Sequence, residues 1–293
     1  MSPLHITASY LFMPLSQDGL SALQQELKTF GHDQGMQGLV LIAPEGINST
    51  VAGSADAIRQ WKDFLTAKFG PIIFKDSRAE KNVFSRFSVK IKPEIVGIKN
   101  PALRPSGHRK HLTPEEFHKI MSHGDAVILD ARNAYEVAIG KFRDAVDPGT
   151  SAFHEFPAWA KTTGIPKEKK VMMYCTGGIR CEKALMAMEQ EGFENVYQLE
   201  GGILAYLEKY PHGAFEGECF IFDHRVAVDS HLQPTKIYDI CPHCGDPGKR
   251  LITCVCGGQQ KICEKCSMKE AGETCSKRCR NEVRKRATMK SCA

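Results

Sequence analysis

The residues best placed to do chemistry lie together in Cys175-Thr176-Gly177-Gly178-Ile179-Arg180. The apolar run Val171-Met172-Met173-Tyr174 before them reads as a buried strand. Cys181-Glu182-Lys183-Ala184-Leu185-Met186-Ala187-Met188 after them has a helical pattern. A cysteine at the end of a strand, followed by a glycine turn into a helix, places its sulfur where backbone N–H groups converge and the helix dipole favours negative charge. Both effects lower the thiol pKa and make a nucleophilic thiolate available near neutral pH. Arg180 closes the loop with a fixed cation. Cys175 and Arg180 are therefore the candidate catalytic residues, with Thr176, Gly177, Gly178 and Ile179 supplying the amides. The loop is shorter than the cradle of cysteine phosphatases, and a tighter ring of amides suits a persulfide or a planar electrophile better than a phosphate monoester.

Upstream, Ala126-Val127-Ile128-Leu129 runs as a strand into Asp130-Ala131-Arg132, followed by Tyr135-Glu136 and Gly140-Lys141-Phe142. With the loop and the later Leu199-Glu200-Gly201-Gly202-Ile203, this order resembles a rhodanese domain. The resemblance implies a small doubly wound α/β domain with its active loop at the carboxyl end of a central strand. It also implies that Cys175 is the residue able to become a persulfide. Asp130 and Arg132 are expected to brace the fold rather than react, as paired charges commonly do.

The elements ahead of that domain follow the order βαββαβ. Strands are expected at 6–13, 38–43, 46–51 and 83–91. Leu20, Leu23, Leu27 and Phe30 mark one helix, and Ile58, Trp61, Phe64, Leu65 and Phe69 a second. This predicts a ferredoxin-like (acylphosphatase-like) domain with helices on one face of an antiparallel sheet. The turn Pro44-Glu45-Gly46-Ile47-Asn48 offers polar groups to a ligand. The segment Lys75–Lys92 interleaves Lys75, Arg78, Lys81, Arg86, Lys90 and Lys92 with Phe74, Phe84 and Phe87; on strands such residues can track phosphates and stack unpaired bases, but alternation is expected to send the phenylalanines to the core and the charges outward. Residues 99–111 read as a basic, proline-broken linker ending in His108-Arg109-Lys110-His111, whose histidines are expected to be solvated or phosphate-facing. Thr113 then caps a helix with Pro114 at its first position.

The whole chain is expected to be an α/β and α+β multidomain protein: a ferredoxin-like domain (1–98), the linker (99–111), a rhodanese domain (112–212), a strand-rich connector (213–240) and a cysteine-rich module with a basic tail (241–293). In the connector Cys219 is expected to be structural. The module holds Cys241-x2-Cys244, Cys254-x-Cys256, Cys263-x2-Cys266 and Cys275-x3-Cys279. Eight thiols in four close pairs suit two four-cysteine zinc sites better than an iron–sulfur cluster. The spacing leaves open which pairs share an ion. Of the net charge of +5, Lys277, Arg278, Arg280, Arg284, Lys285, Arg286 and Lys290 against Glu282 account for the whole excess. Such a tail points either to a polyanion partner or to a solvated terminus. No apolar run approaches the ~20 residues needed to cross a bilayer. Met1-Ser2-Pro3-Leu4-His5 has neither the basic nor the apolar stretch of a secretory signal. The expectation is a cytoplasmic protein without a membrane partner, its twelve cysteines present as thiols or metal ligands.

The ferredoxin-like pattern, the loop continuing through Cys181-Glu182-Lys183-Ala184, and Gly217-Glu218-Cys219-Phe220-Ile221-Phe222-Asp223 together resemble the rhodanese-domain tRNA uridine hydroxylases. That resemblance implies a tRNA partner and oxygen-dependent conversion of a wobble uridine to 5-hydroxyuridine, with dioxygen as co-substrate and Cys175 essential. No flavin or NAD fingerprint is present. Cys175 could add to the electrophilic C6 of uracil or carry a persulfide. A rhodanese-type sulfurtransferase using thiosulfate or a persulfide is the alternative enzyme, and an RNA-binding protein with a redox-sensing rhodanese domain is the non-catalytic one.

Overall fold

The computed structural model describes residues 4–106 and 110–291, the last four by backbone alone. Gly107, His108 and Arg109 of the expected linker lie outside the described residues, as does the side chain of Lys290. The chain forms two units: one runs to Cys219 and takes in Ser230–Leu232, the other comprises Phe220–Asp229 and the chain from Gln233 on.

The first unit begins with β1 (Leu4–Phe12), α1 (Leu20–Asp33), β2 (Gln37–Ala43), β3 (Gly46–Gly53) and α2 (Ala55–Phe69). Leu20, Leu23 and Leu27 of α1 and Ile58, Trp61 and Leu65 of α2 recur at helical spacing. They bury against Val40, Ile42, Ile47 and Val51 on one face of the sheet. Ser54 fixes the start of α2 by accepting from the Ala57 N–H at 3.1 Å. The strand expected at 83–91 forms only over β5 (Phe87–Ile91), and an unexpected strand, β4 (Phe74–Ala79), precedes it. β4 takes the fourth place of the ferredoxin-like fold beside β1, and β5 extends the far edge, parallel to β2, giving the order β4-β1-β3-β2-β5. β4 is largely polar, so its sequence has little apolar alternation; the ladder to β1 makes it a strand. Phe74 and Phe87 pack on the core, as alternation predicts.

Next come β6 (His111–Leu112), α3 (Pro114–His123), β7 (Val127–Asp130), α4 (Ala134–Val137), β8 (Gly140–Phe142), α5 (Phe156–Thr162), β9 (Val171–Tyr174), α6 (Ile179–Gln190), β10 (Val196–Leu199), α7 (Gly202–Lys209) and β11 (Phe215–Gly217). Thr113 caps α3 through a complete capping box with Glu116, and Pro114 follows it. The sheet β6-β10-β9-β7 is parallel. Val171, Met173 and Cys175 pack with α5 and α6, while Tyr174 meets Phe142, which in turn meets Tyr206 of α7. β9 is thus buried on both faces, which explains its unbroken apolar run.

In the second unit, the ladders Asp239–Ile240 with Pro247–Gly248 and Arg250–Thr253 with Gln259–Ile262 precede a short helix (Glu264–Ser267) and a basic helix (Lys277–Ser291). No helix among the described residues is long and apolar enough to cross a membrane.

Candidate active site and cysteine clusters

Cys175 follows the last residue of β9 and is 1% exposed. The Gly178 N–H points at its sulfur, 3.1 Å away, and the N–H groups of Arg180 and Cys181 also donate to it. Burial pushes this thiol up. The Cys181 thiol, the Arg180 charge and the loop amides outweigh burial and hold Cys175 down at about 5. Cys181 moves the opposite way, raised by burial and by its bond to Cys175, so it remains a thiol donating to a thiolate. Gly178 makes the turn at φ +99°, where a side chain would be strained and its Cβ would meet the Tyr10 hydroxyl at 3.0 Å. At Gly202 a Cβ would fall 2.4 Å from the Cys175 carbonyl. Its absence lets the start of α7 close on the loop through Ile203 N–H to Cys175 O (3.0 Å) and Leu204 N–H to Thr176 O (3.2 Å).

Arg180 forms a buried fork with Glu136, at 2.5 Å and 2.8 Å, and reaches the Thr176 hydroxyl at 3.3 Å. Burial raises the Glu136 carboxyl, but the Arg180 guanidinium holds it below the usual range. The expected cation is therefore in place, matched by a carboxylate that the motif reading did not assign. Asp130 and Arg132 form a second fork, fully buried: Nε to Oδ1 at 2.9 Å and Nη2 to Oδ2 at 2.7 Å, with Arg132 Nη2 also donating to Gly140 O at 2.6 Å. This fork ties β7 to β8 and makes no hydrogen bond to Cys175. Cys219 lies buried, its thiol pushed up to about 12 by burial despite the nearby Arg132 charge.

The loop also meets residues of the ferredoxin-like domain. Glu182 accepts from Tyr10 Oη (3.0 Å) and Gln198 Nε2 (3.0 Å), and pairs with His111 Nε2 (3.1 Å). His111 therefore faces a carboxylate, neither solvated nor phosphate-facing. Lys183, with no exposed surface, bridges Glu45 and Glu94, each at 2.8 Å. Glu45 also accepts from Ile95 N–H, and Asn48 donates to Ile95 O. The polar groups of the 44–48 turn are thus spent inside the protein instead of being offered to a ligand, because the buried ammonium of Lys183 needs carboxylates around it. The Lys75 ammonium donates to Gly177 O in the loop. Local spacing carries no trace of these contacts, since the partners are far apart in sequence. The only signal was the mixed charge of Glu182-Lys183 at the buried start of α6.

The eight module cysteines gather into Cys241, Cys244, Cys263 and Cys266, and Cys254, Cys256, Cys275 and Cys279, with sulfurs within 4.8 Å of one another in each group. The first and third pairs meet, as do the second and fourth. The hairpin 250–262 separates Cys254 and Cys256 at its turn from Cys263 at its end, so neighbours in sequence go to different groups. Sγ–Sγ separations are 3.4 Å (Cys244–Cys263), 3.5 Å (Cys256–Cys275) and 3.7 Å (Cys275–Cys279). A zinc tetrahedron with bonds of about 2.3 Å has edges of roughly 3.8 Å, whereas a disulfide closes to about 2.05 Å. Both groups are compatible with zinc. His243, within Cys241-x2-Cys244, turns its Nε2 to Gly272 O and Thr274 O and stands outside the sulfur group.

A parallel α/β domain with an activated cysteine in an amide loop, preceded by a ferredoxin-like domain, defines a rhodanese-fold enzyme with an added N-terminal domain. Family models match accordingly: an UPF0176 acylphosphatase-like domain over 4–95, a rhodanese-like domain over 113–209 and a rhodanese C-terminal region over 216–280. The chain belongs to the tRNA uridine(34) hydroxylase family. It is 44% identical to the protein of that name from Bdellovibrio bacteriovorus, covering 98% of this chain and 83% of that one. It is 42% identical to the one from Wolbachia pipientis, covering 78% and 84%, and 41% identical to the one from Rhizobium etli, covering 84% and 80%. Among solved structures, the rhodanese-like domain of the Anabaena Alr3790 protein is 20% identical, covering 38% of this chain and 80% of that one with a TM-score of 0.31.

Proposed function

We infer that this enzyme hydroxylates the wobble uridine of tRNA at C5 with dioxygen, and that Cys175 carries the reaction. The observation that supports this best is the Cys175 thiol, held at about 5 inside a ring of N–H donors. At neutral pH it is a thiolate ready to add to an electrophilic carbon. Addition to uracil C6 forms the Sγ–C6 bond and makes C5 enolate-like. C5 takes one oxygen from dioxygen, and the second leaves as water with two electrons and two protons from an external reductant. Loss of the C5 proton expels the thiolate and restores the base. Arg180 and the amides of 176–179 hold the sulfur's charge in the free enzyme and recover it at expulsion. Asp130 and Arg132 brace the strand ends. An unpaired anticodon base can be splayed into such a site at modest cost.

The module completes the reading. Cys241, Cys244, Cys263 and Cys266 hold one structural zinc, and Cys254, Cys256, Cys275 and Cys279 a second. Bound zinc supplies cross-links, not chemistry, because four thiolates leave no open position. The exposed Lys277, Arg278, Lys285 and Arg286 on the last helix suit tRNA phosphates. The reaction is placed in the cytoplasm, with its substrate. A tRNA carrying 5-fluorouridine at the wobble position tests the chemistry. Fluorine at C5 blocks the final expulsion, so a covalent adduct on the peptide containing Cys175 is expected; absence of an adduct under turnover conditions rejects C6 attack.

A further inference from the structure

Lys75 is the second residue of β4, in the ferredoxin-like domain, yet its amine reaches the catalytic loop of the rhodanese domain. It is partly buried, donates to Gly177 O and lies 5.0 Å from the centroid of the Tyr10 ring. A Cβ built on Gly177 would be 3.8 Å from Lys75 Nζ, and one on Gly201 would be 3.7 Å from its Cε. The amine therefore fills the gap between the two glycine turns that flank Cys175: the loop itself and the start of α7. Burial lowers the amine pKa and outweighs the nearby charges of Cys175, Glu182 and Glu200, which raise it. Among the described residues no carboxylate lies within ion-pairing distance of Lys75. Arg180, by contrast, gives both terminal nitrogens to Glu136. The loop thus has one cation matched by a carboxylate and one that is not. An ammonium has three donors, and the Gly177 carbonyl takes one.

We propose that Lys75 is a catalytic residue donated by the ferredoxin-like domain, its ammonium taking the negative charge that forms on the uracil ring when Cys175 adds to C6. The proposal rests on the hydroxylase reading above. In this step the Sγ–C6 bond forms and the C5=C6 electron pair moves through C4 onto O4. Lys75 donates a hydrogen bond to that oxygen. No proton is transferred and nothing is oxidised. A donor aimed at a charge that appears only during reaction lowers the barrier without tightening substrate binding. The N-terminal domain is then part of the active site.

The test compares wild type, Lys75→Met and Lys75→Arg in the full-length protein. Three quantities are read: single-turnover hydroxylation of undermodified tRNA, tRNA affinity, and iodoacetamide alkylation of Cys175 without tRNA. Lys75→Met is expected to slow hydroxylation about 100-fold, as loss of one such donor does. Its affinity should change less than about threefold and its alkylation should match wild type, while Lys75→Arg recovers part of the rate. A Lys75→Met protein that binds tRNA weakly but turns over normally once bound overturns the proposal in favour of a phosphate contact. One whose alkylation falls in step with hydroxylation overturns it in favour of a prop for the loop. Wild type that alkylates at Cys175 yet hydroxylates nothing removes the hydroxylase reading, and the proposal with it.

Discussion

The rhodanese loop and the C-terminal module use cysteine in opposite ways. In the loop one sulfur, 1% exposed, is held as a thiolate by a single neighbouring thiol, the Arg180 charge and backbone N–H donors. In the module sulfurs are crowded to within 4.8 Å of each other and need a shared cation to be tolerated as thiolates. The difference lies in what backs each sulfur. Strand β9, helix α6 and the forks Arg180–Glu136 and Arg132–Asp130 place Cys175 by packing and ion pairs. The module has a small core in which cysteines outnumber isoleucines, too little apolar surface to fold by burial alone. One region spends its fold on activating a thiol, while the other spends its thiols on making a fold.

The comparison breaks most visibly on metal removal. Structural zinc contributes on the order of 10 kcal/mol or more to small domains. A strong chelator should therefore abolish hydrogen-exchange protection in 241–279 and leave the Cys175 alkylation rate unchanged. Protection that survives complete chelation would mean that the sulfur groups are held by packing alone. Next comes Glu136→Gln, which leaves the buried Arg180 guanidinium without its carboxylate. Urea unfolding of the first unit should lose about 3–5 kcal/mol, the usual result of halving a buried pair, with zinc content intact. Single substitutions separate the two cysteine clusters. Cys263→Ser should release the zinc of the first group and Cys275→Ser that of the second, each lowering metal content by one ion per chain. A variant of either that retains both ions would contradict the interleaved pairing.

The loop also answers to pH, which the module's metal-held sulfurs do not share in the same way. Unfolded, the Cys175 thiol titrates near 9.0; folded, near 5. Its contribution to stability is thus complete above pH 9, falls as pH drops through that window and is gone below pH 5. Cys175→Ala should flatten the stability profile between pH 5 and 9. Alkylation of wild type should hold level from pH 8 to 6 and fall by half near pH 5; a midpoint near 8 or 9 would remove the activated thiolate.

What could be read from sequence follows the range of the interactions. The loop, the start of α3 and the β2–β3 hairpin are encoded by neighbours, and glycine, proline and capping residues mark them. Cys175 was legible because its activation comes from the Cys181 thiol, the Arg180 charge and backbone amides, all within six residues. The module's thiols were legible as ligands, but their sharing depends on how the 250–262 hairpin folds back, which spacing does not carry. Glu136, Lys75 and the Lys183 bridge were not legible as site residues, since each acts on a partner more than forty positions away. β4 escaped the apolar pattern because its partner strand, more than its own residues, decides its state.

The central claim is that the Cys175 thiolate drives insertion of oxygen into uridine. Undermodified tRNA incubated with wild type and with Cys175→Ala under isotopically heavy dioxygen, then digested for nucleoside mass spectrometry, tests it most directly. The account predicts 5-hydroxyuridine carrying the heavy label with wild type and none with Cys175→Ala. Labelled product from Cys175→Ala, or sulfur transferred from thiosulfate with no oxygen gained by wild type, would contradict it.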